Sequence, residues 1–96
     1  MYTRITTGRY DAARSQEVQD LVASRVLDAA RKLPGFRSYN GALDRAGNRL
    51  AAVTTWDTEE QARGFRDQLG REIMDEIRNL GVQLDESQVY ETVIDA

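Results

Sequence analysis

Several aromatic and polar side chains of this sequence could bind an aromatic molecule. Trp56 is the only tryptophan, and its ring could bury roughly 150 to 250 Å² against a ligand while its N–H orients one polar group. Tyr39 and Tyr90 could each donate a phenolic hydrogen bond, or a proton, to a bound oxygen atom. Phe65 and Arg66 are adjacent, and the guanidinium could neutralise a phenolate or a carboxylate. These residue types would suit a pocket for a small, electron-rich ring.

Each of these side chains also has a purely structural interpretation. Trp56 could be a core residue, tyrosines of half-buried strands more often pack than react, and Arg66 could lie on a solvated helix face. Asn40 follows Tyr39 in one predicted strand, so the two side chains point to opposite faces and at most one of them lines a pocket. Arg4 also lies in a predicted strand, where it could face the pocket or a dimer interface, or pair with a carboxylate across strands.

The sequence contains no histidine and no cysteine. Disulfides, thiolate nucleophiles, zinc sites of the Cys/His type, Ser-His-Asp triads and haem ligation by His or Cys are therefore excluded. A tyrosinate is the haem ligand that remains, and few haem proteins use one. Neither G-x-G-x-x-G nor G-x-x-x-x-G-K-[ST] occurs, and no loop spaces its acidic residues like a calcium site. We therefore expect no cofactor and no metal.

The charge and hydropathy patterns exclude further classes of partner. The 13 basic and 16 acidic residues give a net charge of −3, and the arginines are scattered among carboxylates rather than concentrated as a phosphate-binding surface requires. No apolar run approaches the roughly 18 residues of a membrane span, and the first ten residues lack a signal-peptide pattern. We expect a cytoplasmic protein with no nucleic-acid and no membrane partner.

The hydrophobic pattern predicts the elements that would position these side chains. Residues 2–10 read as a strand with a bulge at Gly8, and a helix with Ser15 as its N-cap continues to about residue 32, just before Pro34. Residues 36–43 and 49–56 form a hairpin around the turn at 44–48.

A second helix follows the hairpin. Thr58 and Gln61 form a capping box at its start, Gly70 interrupts it and Gly81 ends it. Residues 88–94 are the last strand. The order strand, helix, strand, strand, helix, strand predicts a single α+β domain over residues 1–96, a ferredoxin-like βαββαβ fold with a four-stranded antiparallel sheet. Both helices cover one face of that sheet, so the bare, partly apolar face predicts a symmetric homodimer packed sheet on sheet.

Three short stretches, together with this element order, resemble the antibiotic biosynthesis monooxygenase (ABM) domain, a dimeric α/β-barrel family. They are residues 33–39 (LPGFRSY), 56–60 (WDTEE) and 62–65 (ARGF). The resemblance covers nearly the whole chain, and the agreement of order and spacing carries it more than any one motif. It implies a ferredoxin-like protomer that dimerises through its sheet and holds a pocket between sheet and helices.

The resemblance also bears on activity. Enzymes of the family include cofactor-free oxygenases of aromatic polyketides and haem-degrading oxygenases, and both place a tryptophan where this chain has Trp56. The haem-degrading members add an asparagine in the first strand and a histidine in the second helix, where this chain has Thr3 and Arg66. This sequence therefore departs from the haem-degrading pattern.

Two functions follow as hypotheses. The first is a cofactor-independent monooxygenase-like protein whose pocket, shaped by Trp56, Tyr39, Tyr90 and Arg66, binds a small aromatic or hydrophobic molecule. Such chemistry needs no His or Cys, because the substrate's own anion reduces oxygen while the protein desolvates, orients and stabilises charge. The alternative is a non-catalytic dimeric ligand-binding or interaction domain of the same fold.

Overall fold

The sheet is built from five strands, and the helical segments pack their apolar residues against one of its faces. The computed structural model describes residues 1–96. The strands are β1 (Tyr2–Arg9), β2 (Phe36–Asp44), β3 (Arg49–Trp56), β4 (Gln83–Leu84) and β5 (Gln88–Glu91). The helical segments are a 3₁₀ turn (Ala12–Arg14), α1 (Ser15–Leu21), a π-helical turn (Val22–Val26), α2 (Leu27–Arg31), α3 (Glu59–Leu69) and α4 (Arg71–Asn79).

The strand order confirms the predicted ferredoxin-like fold. β3 lies between β2 and β1, every pairing is antiparallel, and β4 and β5 both pair with the far edge of β1. The hairpin of β2 and β3 lies where the sequence predicts it. The helical segments before this hairpin and those after it pack side by side on the same face of the sheet and leave the other face open.

The last predicted strand begins at Gln88 as observed but ends earlier, and an additional short strand precedes it. A separate strand, β4, precedes β5, and the two are joined at Asp85, whose N–H donates to the Thr7 carbonyl (2.8 Å). β5 ends at Glu91 rather than at Ile94, because β1 begins at Tyr2 and the last backbone bond of this edge runs from Thr92 to the carbonyl of Met1. The sheet therefore has five strands rather than four, with the predicted order.

The predicted bulge at Gly8 is wrong. β1 pairs with β3 without interruption from Tyr2 to Arg9, and the register shift lies in β2, between Phe36 and Ser38. A Cβ at Gly8 would lie 2.5 Å from the Gln83 carbonyl oxygen. Gly8 is therefore required by the close approach of β4 rather than by a bulge.

The prediction of Ser15 as N-cap is also wrong. A 3₁₀ turn begins the helical region earlier, and the Asp11 side chain caps it by accepting from the Ala13 N–H (2.9 Å). Ser15 is the first residue of α1 and its hydroxyl donates to the Ala12 carbonyl (2.7 Å). The π-helical turn at Val22–Val26, an arrangement enriched at functional sites, was not predicted.

The second helix agrees with the sequence prediction. Thr58 and Gln61 form both bonds of the capping box. Gly70 separates α3 from α4 with a φ of 86°, and Gly81 follows α4 with a φ of 82°. Both angles lie in the left-handed region that glycine adopts without steric cost. None of these helices is long and apolar enough to cross a membrane.

The core lies between the sheet and the helices in two clusters. One contains Trp56 and Phe65 with three small or branched residues, Val26, Ala30 and Ala62. The other contains Tyr10, Val18 and Val82. Only 12 of the 96 residues are buried, so the core of the protomer is small and the two clusters leave unfilled space between them.

Candidate functional site

An apolar cavity of about 90 Å³ separates the two core clusters. It lies between the helix-facing side of β1 and β3 and the helices, and 12 of its 16 lining residues are hydrophobic. Most of its wall is aliphatic and is formed by Val18, Val22, Val26, Leu50, Ala52, Leu69, Met74, Ile77, Val82 and Leu84. Its remaining lining residues are Arg4, Thr6, Tyr39, Phe65, Arg66 and Ser87. A few polar groups in a mostly apolar concavity are typical of ligand sites.

Arg4 is the most unusual residue of this wall. It is 8% exposed, and its Nη1 donates to the carbonyls of Ala62 (2.9 Å) and Arg63 (3.2 Å) in α3. Its guanidinium carbon lies 6.0 Å from the centre of the Phe65 ring, at the outer limit of a cation–π contact. Arg4 belongs to none of the ion pairs of the chain. Of the three alternatives for Arg4, the structure therefore agrees with the pocket-facing one and not with cross-strand pairing with a carboxylate.

Charged neighbours of both signs act on Arg4. Burial, and after it repulsion from Arg66, lowers the pKa of Arg4, while Asp67 acts in the opposite direction. Arg66 lines the same cavity from an exposed position on α3 and likewise has no ion-pair partner. Arg4 and Arg66 thus both line this small apolar space.

Thr6 and Ser87 supply hydroxyl groups to the same cavity. Their oxygens are 2.7 Å apart, and either can be the donor. Thr6 shares the helix-facing side of β1 with Arg4, two residues away. Since only one of two bonded hydroxyls donates to the other, the second O–H remains free to donate to a ligand.

Tyr39 brings a phenol into the apolar part of the wall. Burial raises its pKa to about 12, and no hydrogen bond contributes to that shift. The neutral phenol is therefore retained throughout the physiological pH range. Tyr39 can donate a hydrogen bond to a ligand, but it cannot serve as a phenolate base there.

The raised pKa of Tyr39 predicts a loss of stability at alkaline pH. A tyrosine of the unfolded chain ionises near pH 10, whereas the folded chain keeps this proton to about pH 12. Between these values the unfolded state loses a proton that the folded state retains, so stability falls as pH rises. At pH 11 we expect the loss to be at most about 1.4 kcal/mol. Urea unfolding at a series of pH values should show this loss of unfolding free energy in the wild type but not in Tyr39→Phe. The same dependence of unfolding free energy on pH in both proteins would contradict the prediction.

Trp56 lies in the core rather than on the wall of this cavity. It is 1% exposed, its Nε1 donates to Thr54 Oγ1 (2.9 Å), and its ring meets Phe65 (centroids 4.9 Å apart) and Phe36 (5.6 Å). Its N–H is therefore occupied within the chain. Trp56 contacts the back of Phe65 and so positions a residue that does line the cavity.

Asn40 and Tyr90 are separated from the cavity by the sheet. Asn40 is exposed and pairs with Val53, and Tyr90 is 53% exposed and pairs with Thr3. Alternation along the strands places both side chains on the open face, while Tyr39 and Val89 point toward the helices. Of the predicted pocket residues, the structure brings together Tyr39, Phe65 and Arg66.

A second, open groove adjoins the cavity. It has a volume of about 430 Å³ and lies between the helical region from α1 to α2 and the hairpin of β2 and β3. The two spaces share a wall of five residues, Val18, Val22, Tyr39, Leu50 and Ala52. Val22 begins the π-helical turn, so Tyr39 and this turn lie between the cavity and the groove.

The sequence did not predict all of the polar residues that line the cavity. Thr6 and Ser87 were not predicted to line the cavity, and Arg4 was left open between two faces. Arg4 and Thr6 are two residues apart in one strand, so their side chains share a face of the sheet. Only the contacts with the helices show that this face is the covered one. Of the two positions compared with haem-degrading enzymes, Arg66 lines the cavity, whereas Thr3 lies on the open face and bonds Thr92. No group of three or more Asp, Glu, His or Cys side chains could hold a metal ion.

No protein-family model and no curated protein matches the chain. Solved structures do match. A protein designated an antibiotic biosynthesis monooxygenase, from Deinococcus radiodurans, has a TM-score of 0.74 and 19% identity, with 100% of this chain and 96% of that chain covered. SnoaB, a cofactor-independent oxygenase from Streptomyces nogalater, has a TM-score of 0.72 and 18% identity over 98% and 94% of the two chains.

A third similar structure is a mutant of MhuD with two manganese protoporphyrin IX molecules bound per active site. Its TM-score is 0.70 at 18% identity, over 100% of this chain and 98% of that chain. At such identities the similarity shows a common fold.

Proposed function

From the premise that this chain has the fold of the antibiotic biosynthesis monooxygenases, we propose that it binds a small aromatic or hydrophobic molecule between its sheet and helices. We propose further that it acts on this molecule as a cofactor-independent monooxygenase. The single observation that carries the proposal is the apolar cavity, which Tyr39, Phe65 and two arginines help to line. Such a site excludes water, stacks a ring and stabilises negative charge.

The chemistry requires only what these residues supply. The anion of an electron-rich substrate passes electrons to O₂, and a methylene between two aromatic rings becomes a carbonyl with release of one water per O₂ consumed. Arg4 and Arg66 would stabilise the substrate anion and the negative charge that develops on oxygen. Tyr39, neutral at physiological pH, would donate a hydrogen bond to the bound oxygen atom.

The volumes indicate how such a molecule would be bound. A cavity of about 150 Å³ accommodates benzene, so the cavity of about 90 Å³ is too small by itself for a fused aromatic ring system. The adjoining groove of about 430 Å³ is large enough. A ligand would therefore occupy both spaces and displace the Tyr39 side chain or the wall at Val22 that divides them.

We propose a homodimer for the same protein. The open face of the sheet carries Ile5 and Val53, which are register partners at its centre. Val93 and Ile94, 82% and 83% exposed, follow β5 at its edge. Because the core of the protomer is small, packing two open faces together would bury apolar area that the monomer leaves in water.

We expect a leucine at Ala52 to block binding. Ala52 lines both the cavity and the groove, so the larger side chain fills the space that the ligand needs. In a fluorescence titration that uses Trp56, a tricyclic phenol should bind the wild type saturably and Ala52→Leu about 10-fold or more weakly, as loss of one to two kcal/mol of contact implies. Ala13→Leu, an identical change at an exposed position, should bind like the wild type. Equal affinities for all three proteins would contradict the pocket.

Oxygen uptake separates the two functional hypotheses. Consumption of one O₂ per molecule of a bound phenolic tricycle, above the buffer rate and lowered in Ala52→Leu, would support catalysis. Saturable binding without oxygen uptake would support the non-catalytic ligand-binding domain. One observation favours this second candidate: the indole N–H of Trp56 is already bonded to Thr54 and the ring is packed in the core.

A further inference from the structure

We infer that the ligand is an apolar carboxylic acid, whose carboxylate pairs with Arg4 at the buried end of the cavity. The inference rests on the proposed binding site and adds the chemical class of the molecule.

The hydrogen bonds of Arg4 leave one edge of its guanidinium free. Both bonds to α3 are made by Nη1, and neither Nε nor Nη2 donates to any group of the chain. Nor are these two nitrogens fully buried without a partner, since only Arg25 Nε is in that position. They therefore border accessible space. The parallel N–H groups of Nε and Nη2 form the fork that binds a carboxylate through two oxygens.

Burial makes an empty fork costly. Arg4 as a residue is only 8% exposed, and a charged side chain in such a position is stabilised by partners that replace its lost hydration. The two carbonyls in α3 compensate in part, and the aromatic face of Phe65 contributes a distant contact. A negatively charged group in the cavity would supply the rest.

Neighbouring groups favour an anion over a neutral polar molecule. Arg66 adds a second positive charge to the cavity, although the chain as a whole has a net charge of −3. Asp67 moderates this field without forming an ion pair with Arg4. The hydroxyl pair of Thr6 and Ser87 offers one further donor. Hydrogen-bond donors thus line the cavity beside Arg4, and the aliphatic remainder of the wall favours a ligand that is otherwise apolar.

Calorimetric titration of the whole protein with matched probes tests the inference. Naphthalene-2-carboxylate and its neutral carboxamide have the same ring and differ in charge. The wild type should bind the carboxylate at least about 10-fold more tightly than the carboxamide, and Arg4→Met should weaken carboxylate binding about 100-fold while changing carboxamide binding less than about 3-fold. Arg37→Met is the control, because Arg37 is exposed, pairs with Asp57 and lines neither the cavity nor the groove; it should bind like the wild type.

Arg4→Lys keeps the charge and removes the fork. It should retain a preference for the carboxylate but lose about 10-fold in affinity, and it tests the inference even where Arg4→Met does not fold. Equal affinities of the wild type for both probes would overturn the inference and leave the proposed pocket standing. An unchanged carboxylate preference in Arg4→Met would overturn it as well. Failure of both probes, and of the tricyclic phenol, to bind would refute the pocket itself.

Discussion

Replacing Trp56 with alanine should lower the free energy of unfolding by about 3–5 kcal/mol, the usual cost of removing a large aromatic core residue. Trp56 is 1% exposed and packs against Phe36 and Phe65 with centroids 5.6 and 4.9 Å away. The substitution leaves a cavity that a small core cannot close. Urea unfolding monitored by circular dichroism measures the change, since the variant has no tryptophan to report by fluorescence.

A matched series separates packing from hydrogen bonding at this position. Trp56→Phe keeps a ring but leaves the Thr54 hydroxyl, which is 2% exposed, without its partner. Thr54→Val should therefore lower the free energy of unfolding less in the Trp56→Phe background than in the wild type, because in that background it removes a hydroxyl without a hydrogen-bond partner. A loss below about 1 kcal/mol in Trp56→Ala, combined with lost ligand affinity, would instead show Trp56 to be a pocket residue.

Replacing Val53 with arginine should convert the proposed dimer into a monomer. Val53 lies on the central strand β3, with Ile5 on one side and Asn40 on the other, so each protomer would carry a charge into the middle of a sheet-on-sheet interface. An unpaired buried charge costs about 3–5 kcal/mol, which is a weakening of about 100-fold or more in the dimer dissociation constant. Sedimentation velocity over a range of micromolar concentrations measures the change.

The control for this variant introduces the same arginine side chain on the outer surface of a helix, away from the open face of the sheet. Gln68 is exposed on α3, and Gln68→Arg should sediment as the wild type does. A wild type that sediments as a monomer at micromolar concentration would remove the proposed dimer. Unchanged sedimentation of Val53→Arg beside a dimeric wild type would move the interface to another surface.

The parts of the fold that local chemistry determines could be predicted from the sequence. The hairpin, the capping box of Thr58 and Gln61, and the break at Gly70 depend on residues within a few positions of one another. The resemblance to the ABM domain is confirmed at the level of the fold. The split between β4 and β5 could not be predicted, because it depends on a bond from Asp85 to Thr7 in the distant strand β1.

The site was harder to predict because it depends on which face of each strand is covered. Phe36 and Tyr39 are three residues apart and would point to opposite faces in a regular strand. The register shift between Phe36 and Ser38 turns both toward the helices. No sequence pattern marks that shift. Trp56 and Arg4 share the same side of the sheet, but the packing of Phe65 between them leaves only Arg4 and Phe65 on the cavity wall.

The unpaired charge of Arg4 also bears on how long the protein survives in a cell. A carboxylate that binds only the folded chain would stabilise it by about 2.7 kcal/mol at 100 times its dissociation constant. A change of that size alters the population of unfolded molecules, and with it their degradation by proteases, by many fold. The abundance of this protein would then follow the supply of its ligand, with no transcriptional control required.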